Sequence, residues 1–204
     1  MKAAIPAVMR PFHPDLSSGC ALEIGRWKLE VVAFYNLRVD AVSSHRADAP
    51  PSVRCFVITI SDTRTEADDA SGNAIAGVLT AAGHTLTGRR ILRDEAATVA
   101  DAVRRASVSS DVIITTGGTG ITSRDSTYAA ISQLLDKRLD GFGELFRMLS
   151  YQEIGAAAML SRACAGTIRR TAVFSLPGSE AAVRLAMEKL ILPELPHVVR
   201  ELRR

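Results

Sequence analysis

Between residues 55 and 204 the apolar residues follow two rhythms in alternation. Cys55-Phe-Val-Ile-Thr-Ile60 is a continuous apolar run, the pattern of a parallel strand covered on both faces. Ser61-Asp62-Thr63 ends it, and residues 64–69 form a polar loop. Ile75, Val78, Leu79 and Ala82 then recur at i, i+3, i+4 and i+7, which predicts a helix with Ser71 as N-cap and Gly83 as its stop. A second strand is expected over 87–92, interrupted by Arg89 and Arg90. A helix over 96–107 would bury Val99, Ala102, Val103 and Ala106 on one stripe. The third strand, 112–116, empties into Gly117-Gly118-Thr119-Gly120.

The same rhythms continue to the C-terminus. Residues 128–135 read as a helix with Ile131, Leu134 and Leu135 inward. Gly141-Phe-Gly143 opens a helical stretch over 144–152, with Leu145, Met148 and Leu149 on one face, and 156–162 reads as a closely packed helix. Thr171-Ala-Val-Phe-Ser-Leu176 is the fourth clear strand. Ser179 can cap a helix running to Ile191, which Pro193 and Pro196 would break before a short closing helix marked by Leu195, Val198, Val199 and Leu202. This order predicts an α/β fold, a three-layer, doubly wound, mostly parallel sheet. Residues 1–52 read differently. They hold two apolar patches, 29–32 and 37–42, that suit short strands, and end in the linker Ala47-Asp-Ala-Pro-Pro-Ser52. The expected organisation is an N-terminal extension over 1–52 and one domain over 53–204.

Composition narrows the function. The net charge is +3 and the only dense basic stretch is Arg200-Glu-Leu-Arg-Arg204, which argues against a nucleic-acid surface. Aromatic residues are too sparse for base-stacking platforms. Cys20, Cys55 and Cys164 form no Cys-x-x-Cys pair, so they read as reduced, buried thiols. His13, His45, His84 and His197 are scattered, and read as surface or capping residues. No apolar run approaches the roughly 20 residues that span a bilayer, and the first residues make a poor signal peptide. A cytoplasmic protein without membrane partners is expected.

Parallel strands bring their carboxyl ends to one edge, where open α/β sheets bind ligands. Four motifs fall there: Ser61-Asp62, Asp94-Glu95, the glycine loop, and Pro177-Gly178-Ser179. The glycine loop can turn backbone N–H groups around an anion, or can be a tight turn that needs glycine only for its geometry. It is neither a Walker A loop nor a Gly-x-Gly-x-x-Gly dinucleotide loop. Asp94 and Asp125 could share a Mg²⁺ ion, or could cap the helices that follow them. Ser179 reads as a helix cap that an approaching phosphate could also use. Ser161-Arg162 reads as an anion donor or as a helix-end charge.

Taken in order, Ile58-Thr-Ile-Ser-Asp62, Asp69-x-Ser71-Gly72, Asp94-Glu95, Thr116-Gly-Gly-Thr-Gly120 with Arg124-Asp125, Gly141-Phe-Gly-Glu144, Leu160-Ser-Arg162 and Leu176-Pro-Gly-Ser179 resemble the MoaB/Mog family of molybdenum cofactor biosynthesis proteins. Phe146-Arg-Met-Leu-Ser150 through Glu153-Ile-Gly155 is closer to the MoaB branch. The resemblance covers about three quarters of the chain and none of the first 50 or so residues. It implies trimers or hexamers, binding of molybdopterin, and Mg²⁺-dependent adenylylation of that pterin by ATP. It places the essential carboxylates at Asp94 and Asp125, which would also hold the metal. It places substrate contacts at Ser61, Asp62, Gly117, Gly118, Thr119, Gly120, Ser150, Ser161, Arg162, Pro177, Gly178 and Ser179. A non-catalytic pterin-binding or oligomeric partner protein of the same pathway is the alternative.

Two departures stand out. After Arg-Asp the family continues Val-Thr-Pro-acidic-Ala, whereas this chain has Ser126-Thr-Tyr-Ala-Ala130. After Pro-Gly-Ser the family often has proline, whereas this chain has Glu180.

Overall fold

A computed structural model describes residues 49–122 and 126–204. The patches expected as strands within 1–48, with Cys20, His13 and His45, lie outside the described residues, as do Arg124 and Asp125. The described chain runs β1 (Arg54–Ile60), α1 (Ala70–Ala81), β2 (Thr85–Leu92), α2 (Ala96–Ala106), β3 (Val112–Gly117), α3 (Thr127–Leu134), β4 (Lys137–Arg138), α4 (Asp140–Ile154), a 3₁₀ turn (Gly155–Leu160), β5 (Cys164–Ile168), β6 (Thr171–Leu176), α5 (Glu180–Ala186), a π turn (Met187–Ile191) and α6 (Leu192–Arg203).

The six strands form one mixed sheet in the order β2-β1-β3-β6-β5-β4. The pairs β1–β2, β1–β3 and β3–β6 are parallel, while β5 runs antiparallel to both β6 and β4. The expected doubly wound, mostly parallel sheet is present, with an antiparallel edge that the hydrophobic pattern did not announce. The winding reverses between β1 and β3, because the chain leaves β1 for β2 on one side and returns to β3 on the other.

Each face of the sheet carries its own core, which makes three layers. On one side Val57, Ile114 and Phe174 pack with Ile75 and Leu79 of α1, Phe146 of α4, Val183 of α5 and Leu195 and Val199 of α6. On the other, Ile58, Ile113 and Val173 pack with Val99 and Val103 of α2 and Ile131 of α3. The unbroken apolar runs of β1, β3 and β6 are therefore the direct result of burial on both faces.

Several local expectations need correction. Asp69, not Ser71, caps α1: its side chain accepts from the Gly72 amide at 2.9 Å, and Ser71 lies buried in the first turn. A carboxylate there also favours the positive helix end. In α4 the inward residues are Phe142, Phe146 and Leu149, while Leu145 and Met148 are about half exposed. Phe142 stands edge-on to Phe174 of β6 at 5.3 Å, so aromatic packing sets the rotation of this helix. Residues 155–160 form an open 3₁₀ turn, with only Ala158 buried, rather than a packed helix. His84 is buried and not a surface group, and the loss of water pushes its pKa down. Pro193 and Pro196 do not break the C-terminal helix: Pro193 sits in the first turn of α6, directly after the π turn, and Pro196 lies within it. Cys55 and Cys164 are free and buried as expected. Burial pushes the Cys55 thiol up to about 12, so it stays protonated and inert. Among the described residues no helix is long and apolar enough to cross a membrane.

Candidate functional site

The carboxyl end of β3 lies at the reversal point, with Gly117 paired in register with Ile60 of β1. Its glycines answer to steric demands. Gly117 has φ +95°, and a Cβ there would stand 2.2 Å from the Ile60 carbonyl oxygen. Gly118 has φ +63°, and a Cβ there would meet Ile60 Cγ2, Thr127 Cβ and, at 3.2 Å, Asp94 Oδ2. A Cβ on Gly178 would come within 3.3 Å of Gly117 Cα. The turn is thus pressed between the ends of β1 and β6 with a carboxylate beside it, a closeness that only glycine allows. The Thr116 hydroxyl donates to the Pro177 carbonyl at 2.9 Å and joins the two loops. Thr119 is buried and Gly120 exposed.

Asp94 is presented by the end of β2. It does not cap α2: that position belongs to Glu95, which makes no side-chain capping bond. Instead Asp94 Oδ1 accepts from the Thr127 hydroxyl, and its amide donates to Asp62 Oδ1 at 3.2 Å. Asp62, Asp94, Gly118 and Thr127 therefore converge from β1, β2, β3 and α3. The Ser61 hydroxyl accepts from the amides of Thr63 and Arg64 at 3.3 and 3.2 Å, and so shapes the β1 loop.

A second layer of polar contacts holds this edge. The Asp69 carboxylate is wholly buried and accepts from Thr59 Oγ1 at 2.6 Å and from Arg89 Nη2 at 2.5 Å, besides the Gly72 amide. Burial alone would push its pKa up, but the bonds from Thr59, Arg89 and Gly72 outweigh it and hold the carboxyl below its usual range. Arg64 lies 3.5 Å from the same carboxylate, donates to the Ser71 hydroxyl at 2.5 Å and to the Gly178 carbonyl at 3.0 Å.

The remaining expected site residues fall in different surroundings. The Ser179 hydroxyl accepts from the Ala182 amide at 3.3 Å as the cap of α5. Ser150 is buried, with its hydroxyl on the Phe146 carbonyl of its own helix. Ser161 ends the 3₁₀ turn, its amide on the Ala158 carbonyl. Arg162 donates to the Gly120 carbonyl at 3.0 Å and lies over the Tyr128 ring, 4.2 Å from its centre. Tyr128 also borders a cleft of about 200 Å³ with Arg138, Glu144, Arg147 and Cys164. Thr127, Tyr128 and Arg64 were not singled out from the sequence. Only their nearness to the glycine loop and to Asp62 could have suggested them.

Magnesium takes one or two carboxylates and fills the rest of its shell with water and phosphate oxygens. Asp94 fits that need, with one oxygen fixed by Thr127 and the other facing the glycine turn. Among the described residues no group of three or more His, Cys, Asp or Glu side chains gathers to hold a metal ion.

A doubly wound α/β sheet with a glycine turn and an oriented carboxylate at its reversal point defines the general class, ligand-binding α/β proteins. The chain belongs within it to the MoaB/Mog family of molybdenum cofactor biosynthesis proteins. The family described as "Probable molybdopterin binding domain" matches residues 56–197. Molybdenum cofactor biosynthesis protein B of Bacillus cereus is 54% identical over 167 residues, covering 80% of this chain and 99% of the relative. A crystal structure of a molybdenum cofactor biosynthesis protein B aligns at a TM-score of 0.75 with 56% identity, over 77% of this chain and 99% of that one. The tungsten cofactor synthesizing protein MoaB from Pyrococcus furiosus aligns at 0.71 with 42% identity, over 76% of this chain and all of its own, 100%.

Proposed function

We propose that this chain adenylylates molybdopterin, using ATP in a Mg²⁺-dependent reaction that releases pyrophosphate. The single observation that carries this reading is the setting of Asp94. Its carboxylate is oriented by Thr127 and faces Gly118 in the crevice between the ends of β1 and β3. In the reaction an oxygen of the pterin's terminal phosphate attacks the α-phosphorus of ATP. The bond from that phosphorus to the bridging oxygen of the β-phosphate breaks, and pyrophosphate departs with the electron pair. Both reactants are anions, so the protein's task is positioning and charge neutralisation rather than covalent catalysis.

The proposed roles rest on the geometry for Asp94 and the glycine turn, and on the family resemblance for Asp125. Backbone N–H groups of the turn at 117–120 would cradle phosphate oxygens. Asp94, with Asp125, would hold Mg²⁺, which supplies charge neutralisation beside the phosphates when bound. The α5 N-terminus capped by Ser179 offers a further anion-favouring end. Leu145, Met148, Tyr151, Met159 and Leu160 are all exposed on α4 and the turn after it. Such an apolar group supports burial against further copies of the chain in a homo-oligomer.

Incubation of the purified protein with molybdopterin, ATP and Mg²⁺ tests the reading, with adenylylated pterin and pyrophosphate as expected products. Asp125→Ala is expected to abolish turnover while leaving pterin binding largely intact; retained adenylylation would remove Asp125 from the mechanism. The loss of the family's acidic residue at Ala129 favours a second reading, a protein that binds the pterin without turnover. Tight binding without product would establish that one, and no pterin binding would refute both.

A further inference from the structure

We propose that Arg162 and Tyr128 act as one stacked positioning pair that fixes the glycine turn against α3, and that Arg162 is not a substrate-anion donor. The inference builds on the reading of Asp94 given above. Four contacts carry it. The Arg162 guanidinium donates to the Gly120 carbonyl at 3.0 Å. Its Cζ lies over the Tyr128 ring, 4.2 Å from the centroid. The Tyr128 amide donates to the Gly118 carbonyl at 3.2 Å. Thr127, the preceding residue, gives its hydroxyl to Asp94.

These contacts close a circuit. Gly118 and Gly120, on either side of Thr119, are both held, one by the backbone of Tyr128 and the other by the guanidinium stacked on its ring. The first turn of α3 needs such an anchor, because its N-cap, Ser126, makes no side-chain capping bond. Rotation of α3 would carry the Thr127 hydroxyl off Asp94. The stack therefore controls the orientation of a carboxylate that neither of its members touches. Arginine suits this role because a planar guanidinium can lie flat on a ring while one N–H reaches a carbonyl, which an ammonium group cannot do.

A double-mutant cycle separates positioning from anion binding. Arg162→Ala and Tyr128→Leu should each lower kcat by about 10- to 100-fold, with KM for ATP and for molybdopterin changed less than about 3-fold. The double variant should be no slower than the worse single one. Tyr128→Phe keeps the ring and should stay within about 3-fold of the unaltered protein, whereas Arg162→Lys keeps the charge and should remain impaired. Mn²⁺ binding in the presence of ATP, followed by electron paramagnetic resonance, should weaken by a similar factor in both single variants and no further in the double one. If the unaltered protein binds the ion and nucleotide yet forms no product, the adenylylation reading falls and the Mn²⁺ cycle alone decides the pair. Full rescue by Arg162→Lys, unimpaired Tyr128→Leu, a KM effect confined to one anionic substrate, or additive losses would each overturn the proposal. Should Tyr128→Leu fail to fold, Tyr128→Phe and Arg162→Lys still give opposite expectations.

Discussion

Arg64 Nη2 donates to the Gly178 carbonyl oxygen at 3.0 Å, across 114 residues of chain. The bond ties the loop after β1 to the loop after β6, while Asp69 and Ser71 hold the same guanidinium from the start of α1. Two loops flanking the glycine turn thus depend on one side chain. Arg64→Ala should cost about 1–3 kcal/mol of stability, the range for a lost charge-assisted hydrogen bond and the partners it leaves. The same variant should slow turnover through the Pro177-Gly178-Ser179 turn. Urea denaturation and steady-state kinetics on one preparation check both effects, and an unchanged midpoint would count against the link.

Gly117 gives a steric prediction with an internal control. Alanine there must adopt φ +95° and meet the Ile60 carbonyl oxygen at 2.2 Å, so Gly117→Ala should lose more than about 2 kcal/mol. Gly77 in α1 has open space around its Cβ position, and Gly77→Ala should be neutral or stabilising by up to about 1 kcal/mol. Comparison of the two unfolding midpoints decides whether the loop glycine is a spatial requirement.

Much of this architecture was legible in the sequence, and the exceptions have physical causes. β1, β3 and β6 are buried on both faces, so each left an unbroken apolar run. β5 left none: Cys164-Ala-Gly-Thr-Ile168 is short and built of small residues, and its hairpin to β6 turns at Arg169-Arg170 rather than at the glycine or asparagine that usually marks such a turn. Arg169 adopts φ +53°, with its amide on Asp136 Oδ2 at 2.6 Å, so a distant carboxylate supplies what the local sequence lacks. In the site, the strand-end position of Asp94 and the glycine turn was readable from the order of elements. The hydroxyl of Thr127 on Asp94, the stack of Arg162 on Tyr128 and the network around Asp69 were not. The Thr127–Asp94 and Arg162–Tyr128 contacts, and the Thr59 and Arg89 bonds to Asp69, each join residues at least ten positions apart in sequence, and no periodicity encodes such a contact.

Asp111 predicts a limb in the acid stability profile. It sits at the opposite end of the sheet and holds Arg54 at 2.9 Å through the backbone amide and at 3.2 Å through the guanidinium, with Arg203 of α6 at 3.1 Å. Burial would push the carboxyl up, but the Arg54 and Arg203 bonds outweigh it and bring it down to about 2. A depressed folded-state pKa contributes stability that is complete above the unfolded value near 4 and is lost as pH falls toward 2. The contribution is roughly 2 kcal/mol. Asp111→Asn should remove this limb from the stability curve between pH 5 and pH 2, measured by denaturation at fixed pH values.

The exposed apolar side chains of α4 predict self-association. Met148 is 52% exposed and Tyr151 64%, and a charge placed among them would be buried unpaired in an oligomer at a cost of several kcal/mol. Met148→Glu should therefore shift the protein toward monomer in analytical ultracentrifugation without loss of its helical signal. An identical sedimentation profile would place the oligomer contact elsewhere.

The π turn at Met187–Ile191 has a consequence for how this protein tolerates insertion and deletion. An α-helix advances about 100° per residue, so uninterrupted α geometry would carry Leu195 and Val199 roughly a third of a turn or more around from Val183. The wider turn takes back close to one residue's rotation, and all three face the same core. The turn thus absorbs one surplus residue and keeps the C-terminal helix in phase. Removing a single residue between 187 and 191 would give a regular α-helix with Leu195 and Val199 still facing the core, so this segment should tolerate a one-residue deletion that an uninterrupted helix would not.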